Sequence, residues 1–327
     1  MREISVEIES WPISGSFAIS RGAKTEARVV TVTIREAGMV GRGEAVPYAY
    51  YGEAAHEVVA SIRALANDIA QGLSREELQR AMPRGAARNA VDCALWDIEA
   101  KLQGKPVWDL AGLPAPHPVT TAFTLSLAEP KAMREAAKQV ANRPLLKLKL
   151  GGGPDDVERV QAVREGAPNA KLIVDANEAW TPDEVPLLTK EMARLGVALI
   201  EQPLPVKLDE ALRGFETPVP FCADESAHGL EGMMRLVGLY SYINVKLDKT
   251  GGLTEALSTI RCARKRKLGV MVGCMVATSL AMAPALLAAQ DADYVDLDGP
   301  LLLTKDRDHA LRYDNSLVYP PTPKLWG

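Results

Sequence analysis

The segment from Leu145 to Asp248 decides the fold, because it contains a series of short apolar runs that each end in a charged residue. The charged ends lie at positions 149, 175, 201, 224 and 246, which are 26, 26, 23 and 22 residues apart. That spacing is about the length of one β/α unit in an eight-stranded barrel, and a continuous apolar run suits a parallel strand buried on both faces. The runs are Leu145-Leu-Lys-Leu-Lys149, Leu172-Ile-Val-Asp175, Ala198-Leu-Ile-Glu201, Phe221-Cys-Ala-Asp224 and Ile243-Asn-Val-Lys246.

The same alternation extends on both sides of this segment and predicts an α/β barrel. We predict strands near 119–124, 145–149, 171–175, 197–201, 219–224, 242–246, 269–273 and 293–297. We predict helices at about 129–141, 155–165, 182–195, 207–214, 229–238, 252–267 and 278–289. Eight strands with seven intervening helices form a (β/α)7β TIM-like barrel. The charged strand ends would then converge on the C-terminal face, where such barrels carry their active sites.

A second unit precedes the barrel. Residues 2–46 alternate in the manner of strands, with a polar loop predicted from Ser14 to Glu26, and helices are predicted at 53–71, 74–81 and Arg84–Gln103. Strands followed by helices indicate an α+β domain. A Pro-rich linker begins at Gly112. We therefore predict an N-terminal capping domain at 1–112, the barrel at 113–310, and a tail at 311–327 that packs back on the capping domain.

Composition limits the class of partner. The 327-residue chain is 47% hydrophobic and 24% charged, and its net charge of -4 gives no reason to expect nucleic acid or an anionic membrane. The charged N-terminus predicts no signal peptide, and no apolar run is long enough to span a bilayer. The four cysteines form no Cys-x-x-Cys pair, which predicts reduced thiols and a cytoplasmic location.

Three carboxylates end successive predicted strands: Asp175, Glu201 and Asp224. On one barrel mouth they repel one another unless a cation lies between them, and a hard divalent cation such as Mg²⁺ suits oxygen ligands. Asn177, Gln202 and Ser226 follow closely and could either orient these ligands or begin the next helix. The alternative is that each carboxylate caps a helix or pairs with a lysine.

Three lysines share the predicted mouth. Lys147 and Lys149 are two apart on one strand, so both point into the barrel. Their two like charges and the charge of a bound metal would lower the pKa of Lys147 and of Lys149, as a base near neutral pH requires. Lys246 ends the strand diametrically opposite, so a carbon bound between the two sides can lose a proton from one face and regain it on the other. Lys249 is interpreted as structural or as part of the rim.

These motifs resemble the muconate-lactonizing subgroup of the enolase superfamily over nearly the whole chain. The motifs on which this resemblance rests are Lys147-Leu-Lys149, Val-Asp175-Ala-Asn, Glu201-Gln-Pro, Ala-Asp224-Glu-Ser and Asn-Val-Lys246-Leu-Asp-Lys-Thr-Gly-Gly. The resemblance implies Mg²⁺ on the three carboxylates, an acid/base pair of Lys149 and Lys246, and Lys147 as a helper that stabilises an enediolate. It also suggests a homo-oligomer, and no partner protein is indicated.

Within the subgroup, the chain looks most similar to dipeptide epimerases acting on L-Ala-D/L-Glu, a dipeptide of murein breakdown. In those enzymes an Asp-x-Asp pair on the eighth strand binds the free α-ammonium group, and here the sequence reads Tyr294-Val-Asp296-Leu-Asp298. Two carboxylates two residues apart on a strand face the same way and can hold one cation. The resemblance further implies that Arg21 pairs with the glutamate side chain and that Tyr48–Tyr51 help to exclude water. The implied pocket lining is Thr124, Cys274, Met275 and Thr278.

Other functions remain open from the sequence. Muconate cycloisomerase, o-succinylbenzoate synthase and N-acylamino-acid racemase share the lysines and the carboxylates, but their substrates lack the ammonium group that Asp296 and Asp298 would bind. An acid-sugar dehydratase would need a histidine on the seventh strand, which reads Gly269-Val-Met-Val-Gly273. A non-catalytic scaffold need not keep both lysines and all three carboxylates.

Overall fold

The N-terminal part of the chain is a three-stranded antiparallel sheet packed against a long helix, in a computed structural model that describes residues 2–327. Its elements are β1 (Glu3–Ile19), β2 (Gly22–Glu36), β3 (Met39–Ala45), α1 (Ala55–Ala64), α2 (Ala66–Ala70), α3 (Arg75–Ala81), α4 (Ala86–Gln103) and α5 (Val107–Leu110). Gly43 lets β3 approach α4 closely, because a Cβ atom there would lie 2.1 Å from the Ala90 carbonyl oxygen. Helix α4 starts two residues later than predicted and ends, as predicted, at Gly104, whose φ of 64° suits glycine.

The predicted polar loop between the first two strands is wrong. Strand β1 continues to Ile19 and β2 begins at Gly22, so Ser20 and Arg21 form the turn of a long hairpin. The register shifts between Pro12 and Phe17, and the resulting bulge re-aims the tip of the hairpin. An exposed two-stranded ribbon has no buried face, so its sequence does not alternate between apolar and polar residues. The polar residues therefore resembled a loop.

The second part is a ring of eight parallel strands surrounded by helices. A two-residue strand, β4 (Val119–Thr120), precedes it. The barrel strands are β5 (Phe123–Leu125), β6 (Leu145–Lys149), β7 (Lys171–Asp175), β8 (Val197–Glu201), β9 (Phe221–Ala223), β10 (Tyr242–Val245), β11 (Gly269–Gly273) and β12 (Tyr294–Asp296). The helices are α6 (Pro130–Gln139), α7 (Asp155–Gly166), α8 (Val185–Arg194), α9 (Met233–Leu236), α10 (Leu247–Thr250), α11 (Leu253–Lys265) and α12 (Ser279–Ala288).

The predicted TIM-like barrel with a capping domain is confirmed. The Ala122 amide donates to the Val295 carbonyl at 2.8 Å and so joins the first barrel strand to the last. Strands β6, β7, β8 and β11 have the predicted bounds. The predicted strand at 119–124 is two strands, because β4 pairs with the C-terminal segment instead of the barrel. The predicted helix at 207–214 is a 3-10 helix, Val206–Leu212, and α9 is only one turn long.

The C-terminal segment contacts both parts of the molecule. Strands β13 (Tyr313–Asp314) and β14 (Leu317–Val318) form a small sheet with β4. The Trp326 indole is buried and donates to the Cys93 carbonyl of α4 at 2.9 Å. Among the helices of residues 2–327, none has the length and apolar character that crossing a bilayer requires.

Candidate active site

Three buried carboxylates lie together at the C-terminal ends of adjacent barrel strands. Asp175 and Glu201 are the last residues of β7 and β8, and Asp224 directly follows β9. One oxygen from each carboxylate lies within 4.8 Å of the other two. The parallel register explains this convergence, because Asp175 pairs with Glu201 and Glu201 pairs with Cys222, two residues before Asp224.

Lysines approach this carboxylate cluster from opposite sides of the ring. The Lys149 ammonium of β6 donates to Asp175 Oδ2 at 2.6 Å, and the Lys246 ammonium after β10 donates to Asp224 Oδ2 at 2.6 Å. Three strands separate β6 from β10 in each direction around the ring, so the two ammonium groups enter from facing walls. The alternating pattern of β6 points Lys147 and Lys149 inward, while Leu146 and Leu148 join the surrounding apolar core.

Lys147 bridges two groups of carboxylates. Its Nζ lies 2.8 Å from Glu201 Oε2, 2.9 Å from Asp296 Oδ2 and 3.4 Å from Asp175 Oδ2. The side chain is only 1% exposed, so these charges interact with little screening by water. The contact with Asp296 was not predicted, and it means that the eighth-strand carboxylate also holds a lysine in place.

The carboxylates dominate the electrostatics of the neighbouring lysines. Burial disfavours the charged form of Lys147 and Lys246, but the surrounding carboxylates outweigh burial and raise the pKa of both lysines. The lowering predicted for Lys147 included the charge of a bound metal, so it stays a prediction for the metal-bound site. Burial and then the Asp175 charge raise the pKa of Glu201 to about 8. Burial opposes the charge of Asp224 as well, but Lys246 and Lys249 outweigh it and hold its pKa well below the usual range.

The donor set fits a hard divalent cation. All three side chains offer oxygen atoms, and each residue is at most 2% exposed. Glu201 Oε2 is buried and accepts no hydrogen bond from residues 2–327, because the nearby Lys147 lies outside hydrogen-bonding geometry. A buried carboxylate oxygen without a donor is expected where a cation binds. Asp175, Glu201 and Asp224 are therefore the residues that could hold such a cation.

Neighbouring side chains and backbone amides hold the three residues of the cluster in position. Gln202 Oε1 accepts hydrogen bonds from the Asp224 and Ser226 amides at 3.0 and 3.1 Å, and Asn244 donates to Glu201 Oε1 at 2.8 Å. Asn177 contributes its backbone amide, which donates to Asp175 Oδ1 at 2.9 Å. The orienting role predicted for Gln202 and Asn177 agrees with these contacts. The one predicted for Ser226 does not, because its hydroxyl donates to Asp209 at 2.6 Å. Asn244 was missed because it lies inside an apolar strand.

Lys249 does not lie on the rim of the barrel. It is 2% exposed, and its ammonium donates to Asp224 Oδ1 at 2.6 Å, whereas Lys246 donates to Oδ2. The turn of helix α10 (Leu247–Thr250) directs Lys249 toward the carboxylate cluster. The rim interpretation is wrong because the Asp-Lys-Thr-Gly-Gly segment forms the short helix α10 instead of an exposed loop.

A cavity of about 790 Å³ opens above the carboxylate cluster. Its lining includes Lys147, Lys149, Lys246, Asp296, Asp298, Thr124, Cys274 and Met275. Asp298 Oδ2 accepts a hydrogen bond from the Thr124 amide at 2.6 Å. Burial and then the Asp296 charge raise the pKa of Asp298 to about 7, so an added positive charge beside these two carboxylates would be strongly favoured.

The predicted lining role of Thr278 is wrong. Thr278 is completely buried at the start of α12, and its amide donates to Glu44 Oε1 of the capping domain at 2.9 Å. Its hydroxyl donates to Glu44 Oε2 at 2.5 Å. This pair fastens the loop that carries Cys274 and Met275 to the capping domain. A single sequence gives no signal for such a contact, since the two residues are 234 positions apart.

The capping domain closes the cavity from above with the hairpin tip and the Tyr48–Tyr51 segment. At the tip, Arg21 donates to Glu225 Oε1 at 2.6 Å and to the Asn177 carbonyl at 3.0 Å. Glu225 is 2% exposed and was missed, although it directly follows a predicted ligand. The structure therefore places Arg21 at the predicted site but against carboxylates of the protein itself.

The barrel mouth thus combines buried carboxylates with lysines on opposite walls. The chain belongs to the enolase superfamily and is an isomerase of that superfamily. Residues 1–112 match the mandelate racemase / muconate lactonizing enzyme N-terminal domain, and residues 132–324 match the enolase C-terminal domain-like family.

Two relatives illustrate the range of activities within the superfamily. The chain is 44% identical to L-Ala-D/L-Glu epimerase of Escherichia coli (strain K12), over 96% of this chain and 98% of that protein. It is 43% identical to N-acetyl-D-glutamate racemase of a Pseudoalteromonas species, over 91% of this chain and 95% of that protein. Both names describe inversion at a glutamate derivative.

Solved structures agree with this placement. An enolase family member from Agrobacterium tumefaciens, described as homologous to dipeptide epimerases and containing sodium and L-Ala-L-Glu, is 51% identical, with a TM-score of 0.98 and full coverage of both chains. A dipeptide epimerase from Enterococcus faecalis V583, complexed with Mg and L-Leu-L-Tyr, is 27% identical, with a TM-score of 0.91 and coverage of 97% and 96%.

Proposed function

We propose that this enzyme epimerises L-Ala-D/L-Glu at the glutamate α-carbon with the help of Mg²⁺. The observation that carries the proposal is the buried pair Asp296 and Asp298, which lies in the same cavity as Lys149 and Lys246. Two carboxylates provide a site for the free ammonium group of a dipeptide, and two facing lysines provide a proton donor and acceptor on opposite sides of one carbon.

The protein's own groups then have distinct tasks. Asp296 and Asp298 bind the ammonium group and so fix the α-carbon between the lysines. One lysine takes the α-proton in its neutral form, and the other delivers a proton to the opposite face. Lys147, which is held by Glu201 and Asp296, stabilises the negative charge that develops on the substrate carboxylate. Bound Mg²⁺ supplies further positive charge for that carboxylate and favours the neutral form of a nearby lysine.

The capping segments exclude water from this step. Tyr48, Tyr50 and Tyr51 pack on one another with ring centroids 5.1 to 6.3 Å apart and line the cavity beside the hairpin tip. Exclusion of water strengthens the charge interactions within the cavity. We further propose that the enzyme acts on murein-derived peptides as a cytoplasmic homo-oligomer.

The activity test uses the purified protein with Mg²⁺ and a panel of candidate substrates. We expect L-Ala-L-Glu to be converted to a mixture with L-Ala-D-Glu, resolved by chiral chromatography. N-acetylglutamate is the competing substrate suggested by the racemase relative. Racemisation of N-acetylglutamate without conversion of any dipeptide would contradict the proposal.

Asp298→Asn is expected to weaken recognition of the ammonium group. Loss of one charge-assisted contact typically costs about 1.5–3 kcal/mol, which corresponds to about a 10- to 100-fold rise in KM for L-Ala-L-Glu. N-acetyl-L-glutamate lacks the ammonium group. Its inhibition constant should therefore change less than about threefold in the same variant. Asp296→Asn should lower kcat as well, because it also releases Lys147. Equal effects of Asp298→Asn on both ligands would rule out the ammonium site.

A further inference from the structure

The strand end that carries Glu201 continues into a strained backbone. Gln202, the next residue, has a φ of 33°, a left-handed conformation that residues with a side chain rarely adopt. Such a conformation costs free energy and persists only where the surrounding contacts enforce it. Gln202 is completely buried, and its backbone amide donates to the Cys222 carbonyl of β9 at 2.8 Å. Its side chain is therefore part of what holds the ends of β8 and β9 together.

The two ends of the Gln202 side-chain amide face different partners. Its Oε1 accepts hydrogen bonds from the Asp224 and Ser226 backbone amides, which ties the segment after β9 to the end of β8. Its Nε2 lies 2.9 Å from the Tyr240 hydroxyl oxygen and 3.0 Å from the Ser226 hydroxyl oxygen, and it also donates to the Leu204 carbonyl at 2.9 Å. The two hydroxyl groups can accept from this NH2 group only if their own hydrogens point elsewhere.

Asp209 receives both of those hydrogens. It lies in the 3-10 helix Val206–Leu212 and is 3% exposed. Its Oδ2 accepts from the Ser226 hydroxyl at 2.6 Å, and its Oδ1 accepts from the Tyr240 hydroxyl at 2.7 Å. A carboxylate accepts hydrogen bonds and donates none, so both hydroxyl groups must donate to Asp209 and present only lone pairs to Gln202. The direction of every hydrogen bond in this group is thereby fixed from one side.

None of these four residues lines the cavity, so they reach the carboxylate cluster only from behind it. We propose that Asp209 is a positioning residue for the metal site. It fixes the donor directions of Ser226 and Tyr240, and through Gln202 it holds in place the two segments that present the ligands of the cluster. The assignment rests on the proposed binding of Mg²⁺ to the cluster and does not depend on which substrate the enzyme inverts.

Asp209→Asn tests this assignment, because it keeps the shape of the side chain but replaces one accepting oxygen with an NH2 group. One hydroxyl must then turn its hydrogen toward the Gln202 NH2 group, so that two donors face each other. We expect the dissociation constant of Mg²⁺, measured by isothermal titration calorimetry, to rise by about 10- to 100-fold, the usual loss when a residue that orients a metal ligand is changed. Tyr240→Phe keeps the Ser226 contact and should raise the same constant by less than about tenfold.

Asp92→Asn is the matched control. Asp92 is also a completely buried carboxylate, and it accepts from the Thr254 hydroxyl at 2.6 Å and from Gln79 Nε2 at 3.0 Å, between α4 and α11 and outside the cavity lining. Its replacement should lower the melting temperature without changing the dissociation constant of Mg²⁺. Asp209→Asn should change both quantities.

Two results would overturn the assignment. If Asp209→Asn melts at a lower temperature but binds Mg²⁺ as tightly as the unmodified protein, Asp209 is only structural, and the proposed epimerase function still stands. If Asp209→Asn does not fold, unchanged Mg²⁺ affinity in Tyr240→Phe has the same meaning. An unmodified protein that binds Mg²⁺ but converts no dipeptide would instead contradict the proposed function alone.

Discussion

Replacement of Lys149 or Lys246 by alanine is expected to abolish epimerisation of L-Ala-L-Glu. A positioned general acid or base contributes about 10²- to 10⁴-fold to a rate, and each lysine serves one face of the α-carbon. The two ammonium groups hydrogen-bond different carboxylates, Asp175 and Asp224, on separate strands. Neither lysine can therefore substitute for the other, and inversion stops when either is lost.

Each single variant should keep one half of the reaction. In D₂O, the remaining lysine can still exchange the α-proton of one diastereomer with solvent, which proton NMR detects as loss of the signal without inversion. Lys246→Arg is the control for charge, because a guanidinium remains positive and cannot act as a base near neutral pH. Normal epimerisation by Lys246→Ala would refute the two-base mechanism.

Removal of Mg²⁺ is expected to abolish activity, and the affinity for Mg²⁺ should depend steeply on pH. Before metal binding, burial and the Asp175 charge raise the pKa of Glu201 to about 8. A metal ligand must be deprotonated, so binding near neutral pH has to displace this proton. The apparent association constant should therefore rise by up to about tenfold per pH unit below pH 8 and level off above it.

Isothermal titration calorimetry in buffers of different ionisation enthalpy measures both the affinity and the proton release. We expect about one proton released per Mg²⁺ near pH 6.5 and close to none near pH 9.5. Glu201→Gln is the matched variant, since it keeps the shape of the side chain but cannot release a proton. An affinity that is constant between about pH 6 and pH 8 would contradict the shifted pKa of Glu201.

The sequence was sufficient to predict the barrel and its centre, for a physical reason. A strand that is buried on both faces must be apolar throughout, so a charged residue at its end is conspicuous. Asp175, Glu201 and Lys149 each end such a strand, and the parallel register brings them together. The convergence of Asp224 and Lys246 follows from the same rule, one residue beyond their strands.

The remaining features depend on contacts between distant segments, which local patterns do not encode. The hairpin around Arg21 lacks a buried face, so its strands show no alternation of apolar and polar residues. The pairing of Arg21 with Glu225 and that of Glu44 with Thr278 join residues 204 and 234 positions apart. The burial of Lys249 depends on a short helix whose turn residues look like those of an exposed loop.

Proton NMR of L-Ala-L-Glu with the enzyme and Mg²⁺ in D₂O tests the central claim most directly. We expect the glutamate α-proton signal to disappear while the signals of L-Ala-D-Glu, deuterated at the same carbon, appear. Such a result would establish the substrate and proton transfer at its α-carbon in one experiment. If the α-proton signal persists and no second diastereomer forms, the assignment of Asp296, Asp298 and the two facing lysines to dipeptide epimerisation is wrong.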